Sequence, residues 1–429
     1  MTQAMLIGIL GFVLLLILVF LRVWIGLAMM FVGFVGLAIL KDFSYAGTVL
    51  ASEPFTQATQ YALTCMPLFC VMGAVICDTG MGSQLYRAAR AFLGHIRGGL
   101  GIATICACGV FAAICGNSQI TAMTIGRISF PEMRKAGYAD TLAVGGIGAG
   151  GGIGIMIPPS VGFIVYGMLT EQSIGKLFMA GIVPGLLLVV LYSSVFVIAA
   201  IAKPELAPPG PKSDWHEKLA SLKDTWSILL LVILMLGGIY GGFCTATEAG
   251  AIGAIGSVII AAATKQLKWK TLYESLVDGA RMTATVMILL IGAKVFLRFI
   301  TITGLAGAMT DFVINLNVPR GVILFGIWIL YFIIGAAFDI MAGIMLTVPF
   351  LYPIIVALGY DPIWFGVFVV AMMELGEITP PIGLSCFILS DVCDMPVTRV
   401  FKGVLPFIAA AFVFDIILCC FPQIALVMA

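Results

Sequence analysis

A glycine followed four residues later by two consecutive prolines occurs twice in this chain, as GIMIPPSVG at residues 154–162 and GEITPPIG at residues 376–383. Both copies lie inside long apolar runs. Proline lacks a backbone N–H and clashes with the preceding turn, so a pair of prolines breaks a helix. In hydrocarbon the groups freed by such a break find no water, and irregular backbone is tolerated only where protein covers it or where it lines a cavity. Composition supplies that setting: 62% of the 429 residues are hydrophobic and only 10% are charged, against about 25% charged in a soluble domain. A mean hydropathy of +1.16 is too high for one buried core, so the class is an all-α polytopic membrane protein. Many runs reach the ~20 residues that cross a bilayer. The first, residues 5–21, has no charged stretch before it and is followed almost at once by a second apolar run after Arg22. It therefore reads as a retained span and not as a cleaved signal peptide.

The two breaks belong to an internal repeat. At a separation of 222 residues Pro131 meets Pro353, Gly137-Tyr138 meets Gly359-Tyr360, and Gly154 meets Gly376. Pro158-Pro159 likewise meets Pro380-Pro381, Gly181 meets Gly403, and Pro184 meets Pro406. Most of these residues set backbone geometry, so the chain reads as two copies of one fold, residues 1–201 and 225–429. They are joined by a polar linker, residues 202–224, which carries four lysines and four acids and is expected to be solvated.

In the first copy spans are expected near residues 4–21, 24–40, 60–78, 140–172 and 176–200. A further apolar stretch, 99–125, is interrupted by CGNSQ and reads as a re-entrant hairpin. The second copy gives spans near 226–243, 247–264, 281–301, 360–393 and 403–428, and a hairpin near 321–350 interrupted by AFDIMAG. Five crossings per copy, one of them broken, require the second copy to be inverted. Placing the N-terminus in the periplasm tests this through the positive-inside rule. Seventeen Lys and Arg residues then fall on the cytoplasmic side, and only Lys41, Lys176 and Arg320 on the periplasmic side. The termini are thus expected in the periplasm and the linker in the cytoplasm of a bacterial inner-membrane protein. Lys294 and Arg298 remain inside a span, four residues apart on one helical face. They can face a polar crevice or a partner subunit, pair with an acid such as Asp311, or snorkel.

Inverted repeats with discontinuous helices are the signature of secondary transporters. A break frees main-chain carbonyls near the midplane, and hard oxygen donors suit a small cation. Ten residues after the first Pro-Pro pair, Val161–Thr170, span only about 15 Å, too short to cross alone, so the break lies within one span. The expected cation ligands are Gly116, Asn117, Thr121, Gly154 and Pro158 in the first copy, and Asp339, Gly343, Gly376, Thr379 and Pro380 in the second. The expected substrate contacts are Asn117, Ser118, Gln119, Ser160, Asp339, Glu377 and Ser385. Asn117 and Ser118 equally suit helix capping at a hairpin tip. Asp339, Glu374 and Glu377 argue more strongly for function, because acids inside the membrane are costly.

Other chemistries find little support. A net charge of +1 suggests no nucleic-acid partner. The 11 cysteines form no CxxC pair and read as small packing residues. His95 and His216 fall in charged connections. GGIGAGGGIG at residues 145–154 lacks a preceding strand and a GKS or GKT sequence, so it reads as close helix packing. GNSQ faintly resembles a membrane serine protease, but no span offers a histidine to activate Ser118, and there is no HExxH or Walker A motif. The remaining alternatives are a passive anion channel and an intramembrane enzyme.

The segments GNSQITAMTIGRISFPEMRKAGY, GIMIPPSVGFIVYG, LFMAGIVPG, GFCTATEAGAIGA, MAGIMLTVPFLYPIIVALGYDPIWFGV and ITPPIG resemble the large membrane subunit of tripartite ATP-independent periplasmic (TRAP) transporters, over essentially the full length. The resemblance implies import of a small organic anion, such as a carboxylate, sulfonate or sugar acid, with Na+ as the coupling ion at the oxygens named above. It implies a periplasmic substrate-binding protein and a small four-helix membrane subunit, here expected as a separate chain. It also implies an elevator, in which residues 99–126, 140–170, 320–350 and 361–394 move against a scaffold made of the other spans. The tip Asn117-Ser118-Gln119 departs from the small Gly/Ser residues often found there.

Overall fold

The computed structural model describes residues 2–316 and 318–429, which are helical with no strand among them. Ten helical segments are long and apolar enough to cross a membrane. The first copy opens with α1 (Gln3–Phe20), α2 (Ile25–Leu40), α3 (Phe43–Ala58), α4 (Cys65–Asp78) and α5 (Met81–Leu93). A hairpin of α6 (Gly99–Cys115) and α7 (Ser118–Lys135) follows, then the broken pair α8 (Asp140–Met156) and α9 (Val161–Thr170), then α10 (Ile174–Ala202). The second copy comprises α11 (Trp215–Tyr240), α12 (Ala246–Ala263), α13 (Trp269–Thr303) and α14 (Leu305–Asn315). Its hairpin is α15 (Arg320–Ala337) and α16 (Ile340–Ala357), its broken pair α17 (Pro362–Glu377) and α18 (Leu384–Val392), and it closes with α19 (Val397–Cys420) and α20 (Gln423–Leu426). Shifted by 222 residues, α7 falls on α16 end to end, and α6, α8, α9 and α10 start within two residues of α15, α17, α18 and α19.

The helices of the hairpins and breaks start where the sequence supplies caps. Asn117, Ser160 and Asp339 each accept a backbone N–H of the helix they open, satisfying one of its orphan donors. The hairpin tips lie against the breaks. At the tip of the first, Gly116 sits so close to the Pro159 carbonyl that a Cβ would collide with it, and its φ of +59° suits glycine. In the second, Gly335 lies backbone to backbone against Gly376. Each hairpin tip therefore lies beside the interruption of a broken pair. The Pro158-Pro159 and Pro380-Pro381 peptide bonds are both cis.

Two groups of helices pack chiefly among themselves and meet where α4 lies on α6 and α13 on α16. α1 to α4 interlock with α11, α12 and α13, where Gly26 approaches the Gly292 backbone and Gly33 the Val295–Phe296 backbone. The hairpins and broken pairs form the second group around α8, whose residues Leu142 to Met156 are all buried. The glycines of α8 do pack against neighbours: Gly145 on the Gly403 backbone, Gly151 on Ala122, Gly154 on Asn117 and Thr121. α5 and α14 bridge the two groups.

Several expectations change. The view that every span outside the hairpins and breaks belongs to the framework fails for α10 and α19. They pack on α6, α8 and α17 and on each other, with Phe196 against Phe407 and Gly403 against Gly145. The helices α3, α5 and α14 lie in stretches read as connections. α7 and α16 run on to Lys135 and Ala357, carrying Pro131, Pro349 and Pro353 within them. α13 begins at Trp269, twelve residues before the expected start, and its 35 residues make a rod of about 52 Å. The linker is not a free connector. Its backbone bonds to the loops beside α5 and α7 (Gly98 N to Ala207 O 3.0 Å, Ala139 N to Leu206 O 3.0 Å, Gly210 N to Gly94 O 2.9 Å), and α11 begins inside it.

Candidate functional site

The two copies meet where the first hairpin tip touches the second break. Asn117 ends the turn after α6 and caps α7 through Oδ1, which accepts from Ile120 N at 3.0 Å. That cap points Ser118 across the interface, where its Oγ donates to Glu377 Oε2 at 2.6 Å, with both residues buried. Glu377 is the last residue of α17, placed there because Pro380 and Pro381 stop the helix. Its other oxygen, Oε1, is buried without a hydrogen-bond partner, as is the hydroxyl of Ser385 in the first turn of α18. A charged or polar group left so costs about 1–3 kcal/mol or more, so this cluster has free capacity for a further donor or a cation.

The main chain around both breaks carries free oxygens. Among the described residues no donor bonds the carbonyls of Pro158 or Pro380. Other expected ligands are engaged already. The Asn117 carbonyl accepts from Thr121 N at 3.2 Å and Thr121 Oγ1 at 2.8 Å. The Gly376 carbonyl accepts from Thr379 N at 2.9 Å, while Thr379 Oγ1 donates to Leu375 O at 2.6 Å. The Gly343 carbonyl accepts from Thr347 Oγ1 at 2.7 Å. Asp339 uses Oδ2 to cap α16 at Met341 N, 3.1 Å away. The structure thus gathers Gly116, Asn117, Thr121, Gly154 and the first break into one knot. It gathers Asp339, Gly343, Gly376, Thr379 and Pro380 around the second hairpin and break, and Ser118, Glu377 and Ser385 between them. Ser160 is fully buried and turned to its own cap, accepting from Phe163 N at 3.4 Å. Gln119 follows Ser118 in the first turn of α7, half-buried.

Sequence reasoning missed three features here. Tyr192 of α10 donates its hydroxyl to Glu374, the acid one turn before Glu377, at 3.0 Å. Asp415 of α19 is buried, and neither of its oxygens has a partner. A cavity of 710 Å³ beside the first hairpin tip is lined by Cys77 and Gly279 of α4 and α13, by Cys115 and Ile120 at the tip, and by Arg127 and Arg281. The acid in the last apolar run was a readable signal for Asp415; the others depend on tertiary packing. Lys294 donates to the Met168 carbonyl in the last turn of α9 at 3.3 Å, and Arg298 lies 4.0 Å from Glu53. Asp311 is therefore not the partner of either cation.

A helical membrane protein whose two interrupted spans and two hairpins converge on buried, unsatisfied oxygens has the architecture of a membrane transporter. The family model for the DctM component of tripartite ATP-independent periplasmic transporters matches residues 12–424, and the chain belongs to that family. It is 36% identical over 380 residues to the C4-dicarboxylate TRAP transporter large permease protein of Pseudomonas aeruginosa, covering 88% of each chain. It is 35% identical over 382 residues to the isethionate TRAP transporter permease protein of Oleidesulfovibrio alaskensis, covering 87% of this chain and 60% of that one. Among solved structures it shares the fold of the YdaH transporter of Alcanivorax borkumensis, with a TM-score of 0.63, 13% identity and 89% of both chains covered.

Proposed function

We propose that this subunit imports a small organic anion with sodium as the coupling ion, by an elevator movement of two inverted repeats. A periplasmic binding protein delivers the anion, and a small membrane subunit supports the scaffold. The relatives named for C4-dicarboxylate and isethionate point to a carboxylate or sulfonate. The observation that carries the reading is the Ser118–Glu377 bond between hairpin tip and break, with Glu377 Oε1 and Ser385 Oγ left unpartnered beside it.

The donor set fits a sodium ion. Free carbonyls at Pro158 and Pro380 and the carboxylate of Asp339 are hard oxygen ligands. The anion's route runs through the cavity beside the first hairpin, where Arg127 is the cation not already paired, Arg281 being held by Asp278 at 3.3 Å. The moving body comprises α6 to α10 and α15 to α20, sliding against α1 to α4 and α11 to α13. A carrier of this kind, unlike a channel, accelerates uptake when vesicles are preloaded with unlabelled substrate. The test is Asp339→Ala in proteoliposomes containing all three components: sodium-dependent uptake should vanish with the protein still folded in the membrane. Uptake that keeps its sodium dependence removes Asp339 from the site.

A further inference from the structure

We infer that Asp415 marks a second binding site, on the outer flank of the hairpin body, for an ammonium group carried on an apolar chain. A cavity of 510 Å³ between α15 and α19 is lined by Asp415, Trp328, Phe325, Phe412 and Tyr360. The walls form an aromatic cage. Phe325 stacks on Trp328 at 6.0 Å, and Phe412 lies against Trp328 at 5.2 Å. At its base Asp415 is 1% exposed, with both carboxylate oxygens buried and unpartnered. No ion pair among the described residues includes it. Trp328 and Tyr360 bring an N–H and an O–H to the same wall; the Trp328 indole lies close to the carboxylate without completing a hydrogen bond to it.

An ionised acid buried without a partner is costly, and protonation alone would still leave its carbonyl oxygen without a donor. The missing group must therefore be a donor, and a cationic one satisfies the acid most fully. Aromatic faces attract organic cations, and a cage with a single carboxylate has too few oxygens for a metal ion. The mouth is apolar: Phe325 is 60% exposed and Ile416 62%, on helices that face lipid. An ammonium on a hydrocarbon tail satisfies the acid, the rings and the mouth together. Such a group comes from a bilayer lipid with an amine headgroup or from a free hydrophobic amine. The site lies away from the hairpin tips and does not depend on how transport is coupled.

The probe is dodecylammonium, with dodecanol as its neutral counterpart, titrated onto the full chain in phosphatidylcholine nanodiscs and referenced to empty nanodiscs. One equivalent of dodecylammonium should bind about thirtyfold more tightly than dodecanol, the scale of a desolvated cation–π contact. Asp415→Asn keeps the shape of the side chain and should bring the two ligands within about threefold. Trp328→Leu should weaken the ammonium more than the alcohol. Displacement by dioctanoyl phosphatidylethanolamine assigns the site to a membrane lipid, and displacement by neither it nor the phosphatidylcholine analogue assigns it to free amines. Equal binding of ammonium and alcohol to the unmodified chain overturns the inference. So does a preference for the ammonium that survives Asp415→Asn in protein of unchanged helical content.

Discussion

Replacing Ser118 with Ala removes one oxygen and nothing else, and its cost follows from the geometry. The Ser118 hydroxyl donates to Glu377 Oε2 at 2.6 Å, and among the described residues no donor bonds Oε1. The substitution therefore removes a short hydrogen bond from a buried carboxyl group that keeps only the neighbouring Gln119 and Ser385 side chains. A hydrogen bond to a charged group contributes about 1.5–3 kcal/mol net, which is about a ten- to hundredfold effect at 1.4 kcal/mol per decade. The bond joins two elements of the proposed moving body at the site itself, so its loss loosens the geometry on which binding depends in every state of the cycle. Sodium-driven uptake of the cognate anion in proteoliposomes should fall by that factor in kcat/KM, and Ser118→Thr, which keeps the hydroxyl, should recover most of it. A cycle with Glu377→Gln checks the assignment, because partners in contact couple by about 0.5–3 kcal/mol. Uptake by Ser118→Ala within about twofold of the unmodified protein, or strict additivity in the cycle, would refute the argument.

Cys77 of α4 and Cys115 at the end of α6 bring their Sγ atoms to 3.1 Å across the boundary between the two helix groups. With the other cysteines replaced, a mild oxidant should join them and stop uptake, and a reductant should restore it; a crosslink that leaves uptake unchanged shows that α6 does not move against α4. A disulfide holds its Cα atoms within about 7 Å, so even a modest slide is blocked. Lys294 on α13 contacts the Met168 carbonyl of α9, so Lys294→Gln should slow uptake severalfold while the small subunit still co-purifies. Loss of the complex instead would place Lys294 at the subunit interface.

What could be read from the sequence was whatever the backbone itself requires. The paired prolines and the glycines near them are geometric demands, and they gave both breaks, both hairpins and the 222-residue spacing. The acids Glu374, Glu377 and Asp339 stood out because hydrocarbon makes such residues expensive. Short amphipathic helices did not stand out: α5 contains Arg87 and Arg90 and is only half apolar, so it passes for a charged loop. The full length of α7 and α16 did not stand out either: both run on through Pro131, Pro349 and Pro353, as helices in lipid do when neighbours cover the freed groups. The affiliation of α10 and α19 was invisible, because a helix apolar on every side carries no mark of the body it joins. Tyr192 and Glu374 lie 182 residues apart and meet only through that packing.

The interlocking of α2 with α13 bears on how the protein is made. Gly26 and Gly33 leave the faces of α2 bare of side chains so that the backbone around Gly292 and Phe296 can lie against them. Those partners are translated roughly 260 residues later, a delay of about 13–50 s at 5–20 residues per second. Through that interval the opening helices are in the bilayer with their grooves filled by lipid. The first repeat is thus not a finished module awaiting its twin. Assembly of this helix group is a late event: about seven-tenths of the chain, up to the end of α13 at Thr303, is made before it can close.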